Sequence, residues 1–186
     1  MRTNEEIRAF LEGPAVASVE GTEFSDSPLR KDIVLAVRAS FARVNYQATN
    51  AELGVVHLTK SGINDSMRHG YGREKIAAFA VVPEIVERGL VVRSSDDWKS
   101  RGYESFVIAA PIAIGGIPYC ALVVVNRMQN GDQNFYLHEV GKLEEIKKLA
   151  EGLRSGLAPA QGKANPSFGS LKSIALSIFA VNGGGK

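Results

Sequence analysis

The chain has little of several residue types that define common classes of protein. It contains one cysteine, Cys120, among 186 residues, so an intramolecular disulfide and a cysteine-rich zinc site are both excluded. No stretch approaches the roughly 20 consecutive apolar residues of a membrane span, and the first ten residues lack the apolar core of a signal peptide. We therefore expect a cytoplasmic protein of the host or target cell, without membrane contact; leaderless export by a specialised machine is compatible with this expectation.

The chain also has no large excess of positive or negative charge. The formal net charge is +2, which permits an RNA or DNA partner without arguing for one. Hydrophobic residues make up 45% of the chain, enough to bury a real core. The composition predicts a single domain over residues 1–154, a Gly/Pro/Ala/Ser-rich flexible linker over residues 155–170 and an apolar tail over residues 171–186.

Helical patterns dominate the first half of the chain. Thr3 and Glu6 fit a capping box that opens a short helix, and a second helix is predicted from Pro28 to about Val44. The strand Gly54–Thr59, a short helix ending near His69 and a longer helix over residues 73–88 follow.

Strand patterns dominate the second half. Four apolar or alternating runs are separated by turn residues and lie at 90–92, 106–114, 119–126 and 135–140, before a closing helix over residues 141–153. The order predicts an α+β fold with N-terminal helices followed by an antiparallel four-stranded meander sheet.

The residues with reactive side chains concentrate between Val55 and Lys75. His57 and His69 lie in this stretch, and His138 is the only other histidine. Their spacing lacks the short helical or strand pair that makes metal ligands converge, so no metal site is predicted. His57 alternates with Val56 and Leu58 and should face the opposite side of its strand, exposed, so His69 is preferred as the reactive histidine.

Histidine can serve as general base and acid near neutral pH while nearby cations stabilise a phosphorane-like transition state. Around His69 the cations are Lys60, Arg68, Arg73 and Lys75, and the residues that could orient a phosphate are Ser61, Asn64 and Ser66. The same hydroxyls and amides could instead cap helices, with the cations solvated. The residues alone leave both interpretations open.

The segment Leu58–Gly70, followed by a helix carrying Lys75 and by Val82–Gly89, resembles domains in large polyvalent proteins of phages and conjugative elements. The strands at 119–125 and 135–140 fit the same pattern, so the resemblance covers about residues 55–149. These domains are similar to the superfamily that groups barnase, EndoU, the tRNA-cleaving colicins and RelE, many of which are metal-independent ribonucleases acting as toxins.

The resemblance implies a cofactor-free site built from Lys60, Ser66, His69 and Lys75, with Tyr136 and His138 from the last strand. In the implied reaction a histidine removes the ribose 2′-OH proton and the alkoxide attacks the adjacent phosphorus. A lysine then holds the developing charge while His138 or Tyr136 protonates the leaving oxygen. The implied partners are RNA, with tRNA among the candidates, and an immunity or host protein.

Two other functions fit the same residues. A non-catalytic module of a phage or mobile element could use the polar cluster to bind a host protein or nucleic acid, which the modest net charge favours. An ADP-ribosyltransferase-like toxin could use Glu139 as its late-strand glutamate, although the Ser-Thr-Ser-like strand of that class is missing.

Overall fold

The structure of the chain is a computed structural model that describes residues 2–68, 70–96, 102–154 and 170–179. His69, and the predicted linker apart from Ser170, lie outside the described residues. The helices are α1 (Asn4–Leu11), α2 (Arg30–Ala42), α3 (Lys60–Arg68), α4 (Arg73–Ala78), α5 (Val82–Arg88), α6 (Leu143–Arg154) and α7 (Leu171–Ile178). The strands are β1 (Ala17–Val19), β2 (Gln47–Asn50), β3 (Gly54–His57), β4 (Leu90–Ser95), β5 (Glu104–Ile114), β6 (Ile117–Arg127) and β7 (Gln133–Lys142).

The predicted four-stranded antiparallel sheet is wrong, because the described strands form one mixed sheet of seven that curls into a half-barrel. The strands β4, β5, β6 and β7 do pair antiparallel in sequence order. However, β1 adds to β5 in parallel, and β3 adds to β7 in parallel with β2 beyond it. β1 and β2 are only three and four residues long, too short for a period-two pattern to show, whereas β3 corresponds to the predicted strand Gly54–Thr59 but was not expected to join the sheet.

Helix starts follow the local sequence where a capping side chain is present. Thr3 and Glu6 form the predicted capping box at the start of α1, with the Glu6 main-chain N–H donating to Thr3 Oγ1 at 3.2 Å. The helix predicted over residues 73–88 is instead two helices separated by a 3₁₀ turn at Phe79–Val81. Pro83 explains the break, since it has no N–H to donate and tolerates only the first turn of a helix.

The sheet separates two hydrophobic cores. One core lies between the sheet and helices α2 to α5 and contains the fully buried side chains of Phe41, Phe79 and Phe135. The other lies between the sheet and helices α1, α6 and α7, with Leu122 and Ile174 among its members. We call the side of the sheet that carries the first of these cores the first face, and the opposite side the second face.

Cys120 belongs to the second core. Burial raises the pKa of its thiol to about 12, so it is a packing residue and not a nucleophile. Within the described part of the chain, no helix has the length and apolar character needed to cross a membrane.

Candidate functional site

A polar hollow opens where α2, β3 and α3 meet the start of β7. This His57 cleft has a volume of about 520 Å³. Its lining residues come from five separate segments: Arg38, Asn45, Tyr46, Gln47, His57, Leu58, Thr59, Lys60, Asp132 and Asn134. The cleft is therefore a product of tertiary structure.

His57 lies at the point where the two pairings of β3 overlap. It pairs with Gln47 of β2 in the antiparallel register and with Asn134 of β7 in the parallel register. Its neighbours Val56 and Leu58 are fully buried, whereas His57 is half-buried, as the alternation of side chains along a strand predicts. The imidazole is thus held on a strand and reaches a polar hollow.

Lys60 is the first residue of α3, and two local features fix its position. Thr59 Oγ1 accepts a hydrogen bond from the Gly62 N–H at 3.0 Å, which caps the helix at the edge of the cleft. A Cβ atom at Gly62 would lie 2.2 Å from the Phe135 carbonyl oxygen, so only glycine lets α3 lie directly against β7. Lys60 itself is exposed at the rim of the cleft.

Asn45 and Tyr46 form an unusual turn between α2 and β2. Both have left-handed backbone conformations, with φ of 52° for Asn45 and 56° for Tyr46. The Tyr46 N–H donates to the Phe41 carbonyl at 2.9 Å and the Tyr46 carbonyl accepts from the Leu58 N–H at 2.8 Å. The left-handed backbone conformation of Tyr46 costs about 1–2 kcal/mol of stability. Tyr46 nevertheless remains 42% exposed beside the cleft.

The charge of the cleft is predominantly positive. Among the described residues no ion pair engages Arg38 or Lys60. Asp132 also lines the cleft, and its carboxylate, which accepts a hydrogen bond from Asn130 Nδ2 at 2.8 Å, offsets one of the two positive charges. Two cations beside an imidazole form a hollow suited to an anionic ligand.

Lys75 and Ser66, both predicted site residues, use their hydrogen-bonding groups within the protein. Lys75 Nζ donates to the carbonyls of Ser66 at 2.6 Å and His138 at 2.8 Å, and Ser66 Oγ donates to the Gly62 carbonyl at 2.6 Å. Burial lowers the pKa of Lys75 to about 8, while Glu139 opposes the shift. The hydrogen bonds of Lys75 to the main-chain carbonyls of Ser66 and His138 join α4 to α3 and to β7.

Tyr136 and His138 lie on the other face of the sheet from the buried side chains of α3. Their rings meet edge to face with centroids 5.7 Å apart, and Tyr136 packs against the second core. His138 follows Leu137 of the first core but is the extra residue of a β-bulge, since Val123 pairs with Leu137 and Leu122 pairs with Glu139. The sheet therefore lies between these two side chains and α3.

The remaining predicted residues are scattered along the first face. Asn64 Nδ2 donates to the Lys60 carbonyl at 3.1 Å and Ser61 is exposed beside it, so both stay near the start of α3. Arg68 is exposed and pairs with Asp65 at 2.8 Å. Arg73 Nε donates to the Gly21 carbonyl at 2.9 Å and lines a separate hollow.

Of the predicted site residues that the structure describes, the His57 cleft contains only Lys60. The sequence favours His69 over His57, and it places Arg38 on a solvated helix face together with Arg30, Lys31 and Arg43. It does not indicate Tyr46 as a site residue. Alternation along β3 was a signal for His57, because it placed the imidazole off the core. Nothing in the sequence marked Tyr46, whose position depends on a left-handed turn and a contact with β3. Within the described residues, no three His, Cys, Asp or Glu side chains group closely enough to hold a metal ion.

Fold and cleft together define a class of protein: an α+β domain with a curled mixed sheet and a cationic cleft on one face. The chain belongs to the family described as large polyvalent protein-associated domain 3, whose model matches residues 29–136, more than half of the chain. This confirms the predicted resemblance to polyvalent-protein domains and supports an association with phages or mobile elements. Membership of the ribonuclease superfamily stays a prediction.

The match starts just before α2 and ends at Tyr136, so it includes every residue that lines the His57 cleft. Comparison with curated proteins and with solved structures gives no match.

Proposed function

We propose that this domain binds single-stranded RNA in the His57 cleft. The observation that carries the proposal is that Arg38, Lys60 and His57 line one hollow, and that no described carboxylate forms an ion pair with either cation. Phosphate is the common ligand of such cations, and contacts to phosphates supply most of the sequence-independent affinity for nucleic acids. The exposed Tyr46 ring adds a surface on which a base can stack.

A second function, cleavage of the bound strand, is favoured by the presence of His57 in the same cleft as the two cations and Tyr46. In this proposal His57 removes the 2′-OH proton and O2′ attacks the adjacent phosphorus. The P–O5′ bond breaks, leaving a 2′,3′-cyclic phosphate, while the Tyr46 hydroxyl protonates the departing 5′-oxygen. Lys60 and Arg38 stabilise the charge on the phosphorane.

This reaction uses the chemistry expected of His69, Lys75, His138 and Tyr136 but places it on different residues. Lys75 already donates to two carbonyls, and neither Tyr136 nor His138 lines the cleft that contains Lys60. The alternative ADP-ribosyltransferase activity has less support, because the carboxylate of Glu139 accepts the main-chain N–H of Leu171 at the start of α7.

Binding is tested by fluorescence anisotropy with a labelled single-stranded RNA at 50 and 200 mM salt. The double variant Arg38→Gln/Lys60→Gln should lose at least tenfold in affinity at the lower salt. Lys148→Gln is the matched control, because Lys148 is exposed on α6 and pairs with Glu144. Equal affinity of the double variant and the control would overturn the proposal, as would a wild type that binds no RNA.

Cleavage is tested separately with the same RNA and with a copy whose 2′-OH groups are replaced by hydrogen. The wild type should release a 2′,3′-cyclic phosphate from RNA only. His57→Ala and Tyr46→Phe should each abolish cleavage, and Tyr46→Phe should keep the binding affinity because the ring remains. Binding without cleavage by the wild type would leave the domain as a non-catalytic module, whereas stoichiometric capture of a host protein without RNA binding would overturn both activities.

A further inference from the structure

A second hollow continues the His57 cleft along the seam between α2 and α3. We call it the α2–α3 groove; it has a volume of about 600 Å³ and is lined by Arg30, Lys31, Val34, Leu35, Lys60 and Asn64. Lys60 lines both the groove and the cleft. The two hollows therefore adjoin at Lys60, at the start of α3, and we call the two together the track.

The walls of the groove are held together by a direct contact between the helices. Arg30 Nη2 donates to the Asn64 carbonyl at 2.9 Å, which links the start of α2 to the middle of α3. Val34 is buried, whereas Leu35 is 61% exposed. The groove thus offers apolar surface as well as charge, which a polynucleotide needs because its riboses and bases are less polar than its phosphates.

No carboxylate is among the residues that line the groove, so the acids of the two helices offset its charge only from outside it. Each helix has a single acid, Asp32 on α2 and Asp65 on α3. Asp32 accepts a hydrogen bond from Ser27 Oγ at 2.7 Å, and Asp65 pairs with Arg68 at 2.8 Å. Among the described residues no carboxylate forms an ion pair with Arg30 or Lys31. The cations of the groove therefore keep their charge available to a ligand.

The spacing of the cations matches several phosphates. Lys31 and Arg38 are seven residues apart on α2, which corresponds to roughly 10 Å along the helix axis. A strand advances at least about 3.4 Å per phosphate, the value for a stacked duplex, so this distance spans at most about three phosphates of a single strand. A mononucleotide would occupy only one end of the track.

We infer that the α2–α3 groove extends the RNA site, so that the domain binds a strand of several nucleotides along the track from Arg38 through Lys60 to Lys31. This inference rests on the proposed function of the His57 cleft. It specifies the ligand as a polynucleotide and excludes a single nucleotide as the full occupant.

The experiment measures affinity for oligouridylates of two, four, six and eight nucleotides by calorimetry or anisotropy, each at several salt concentrations. For the wild type, affinity should rise at least tenfold between two and six nucleotides. Lys31→Gln should remove most of that rise, reduce the salt slope for the longer strands by about 0.7, and leave the dinucleotide affinity unchanged. Arg43→Gln is the matched control, because Arg43 follows the same helix but lines neither hollow.

The outcomes separate the two proposals. If the dinucleotide and longer strands bind wild type equally, the groove is not part of the site and the His57 cleft still binds RNA. If Arg43→Gln weakens long strands as much as Lys31→Gln does, the added affinity comes from overall charge and the inference is overturned. If poly-glutamate displaces the octanucleotide at equal charge concentration, the groove takes any polyanion and the assignment to RNA is overturned. If no RNA binds, the proposed function fails with it.

Discussion

The ammonium group of Lys75, on α4, donates a hydrogen bond of 2.8 Å to the main-chain carbonyl of His138, the extra residue of the β-bulge in β7. A second bond of 2.6 Å goes to the Ser66 carbonyl near the end of α3. Lys75 is only 7% exposed, so both bonds are sheltered from water. A lysine that appears reactive in the sequence therefore connects three elements of the fold.

Substitution of this lysine should mainly affect stability. Lys75→Met keeps the apolar stem but leaves two buried carbonyls without their donor, so we expect the free energy of unfolding to fall by about 3 kcal/mol. Urea denaturation measures the change. Lys148→Met, at an exposed site, should change stability by less than about 0.5 kcal/mol. A Lys75→Met protein as stable as wild type would contradict the structural role.

Titration of Lys75 should make the free energy of unfolding depend on pH. Burial lowers its pKa from 10.5 to about 8, so the native protein releases this proton at lower pH than the unfolded chain does. Between about pH 8 and 10.5 the unfolded state binds more protons, and the contribution of Lys75 to the free energy of unfolding rises with pH. This contribution is lost as the pH falls from 10.5 through about 8.

The difference between wild type and Lys75→Met isolates this effect, because Cys120, whose pKa of about 12 gives the opposite trend at high pH, contributes equally to both proteins. We expect the stability difference, wild type minus variant, to increase from pH 8 to pH 10 with a slope of up to about 1.4 kcal/mol per pH unit. Urea titrations at five pH values measure it. If the stability difference between wild type and variant shrinks as the pH rises, burial does not lower the pKa of Lys75.

Local signals predicted much of the fold. The capping box of α1 and the hairpin connection at Gly115 and Gly116, both with positive φ, depend only on neighbouring residues. The parallel pairings of β1 with β5 and of β3 with β7 join residues far apart in sequence. No local pattern encodes those pairings, so the seven-stranded mixed sheet was missed.

The candidate site was harder to predict, because each side chain had to be assigned to one face of the sheet or the other. The β-bulge at His138 shifts the alternation of β7 by one residue and is not marked by glycine or proline. His138 consequently lies near Tyr136 on the second face. His57 could have been chosen from its alternation, but its neighbours Arg38 and Tyr46 come from segments that only tertiary structure brings to the cleft.

The close approach of α3 to β7 gives a prediction about how Lys60 is positioned. Gly62→Ala would place a methyl group 2.2 Å from the Phe135 carbonyl oxygen and 2.7 Å from its ring, so α3 must move away. We expect a loss of about 3 kcal/mol in stability and weaker RNA binding through displacement of Lys60.

Gly152→Ala is the matched control for that substitution. Gly152 lies in α6 with no atom within 4 Å of an added Cβ, so alanine should be neutral or stabilise by up to about 1 kcal/mol. Chemical denaturation and RNA anisotropy on both variants test the pair. If Gly62→Ala is also neutral, the close packing of α3 does not position Lys60.

Helix α7 completes the second core, which bears on the role of the predicted apolar tail. Ile174 is 2% exposed and Ile178 is 2% exposed, and both pack in the second core. Ile174→Ala should cost about 2–4 kcal/mol, whereas Leu149→Ala, on the 38%-exposed Leu149 of α6, should cost less than about 1 kcal/mol. Thermal melts of the two variants distinguish a core helix from a loosely attached one, which would show equal small losses.

The left-handed backbone of Tyr46 allows its ring and its conformation to be tested separately. Tyr46→Ala and Tyr46→Gly both remove the ring, but only glycine adopts a φ of 56° without steric cost. We expect Tyr46→Gly to be more stable than Tyr46→Ala by about 1 kcal/mol, while both lose RNA affinity to the same extent because base stacking is lost. Tyr46→Phe should retain the wild-type affinity. Urea denaturation and RNA anisotropy measured together decide the outcome. If the Gly and Ala variants differ in affinity in proportion to their stability, Tyr46 shapes the cleft through its backbone and its ring makes no contact with the strand.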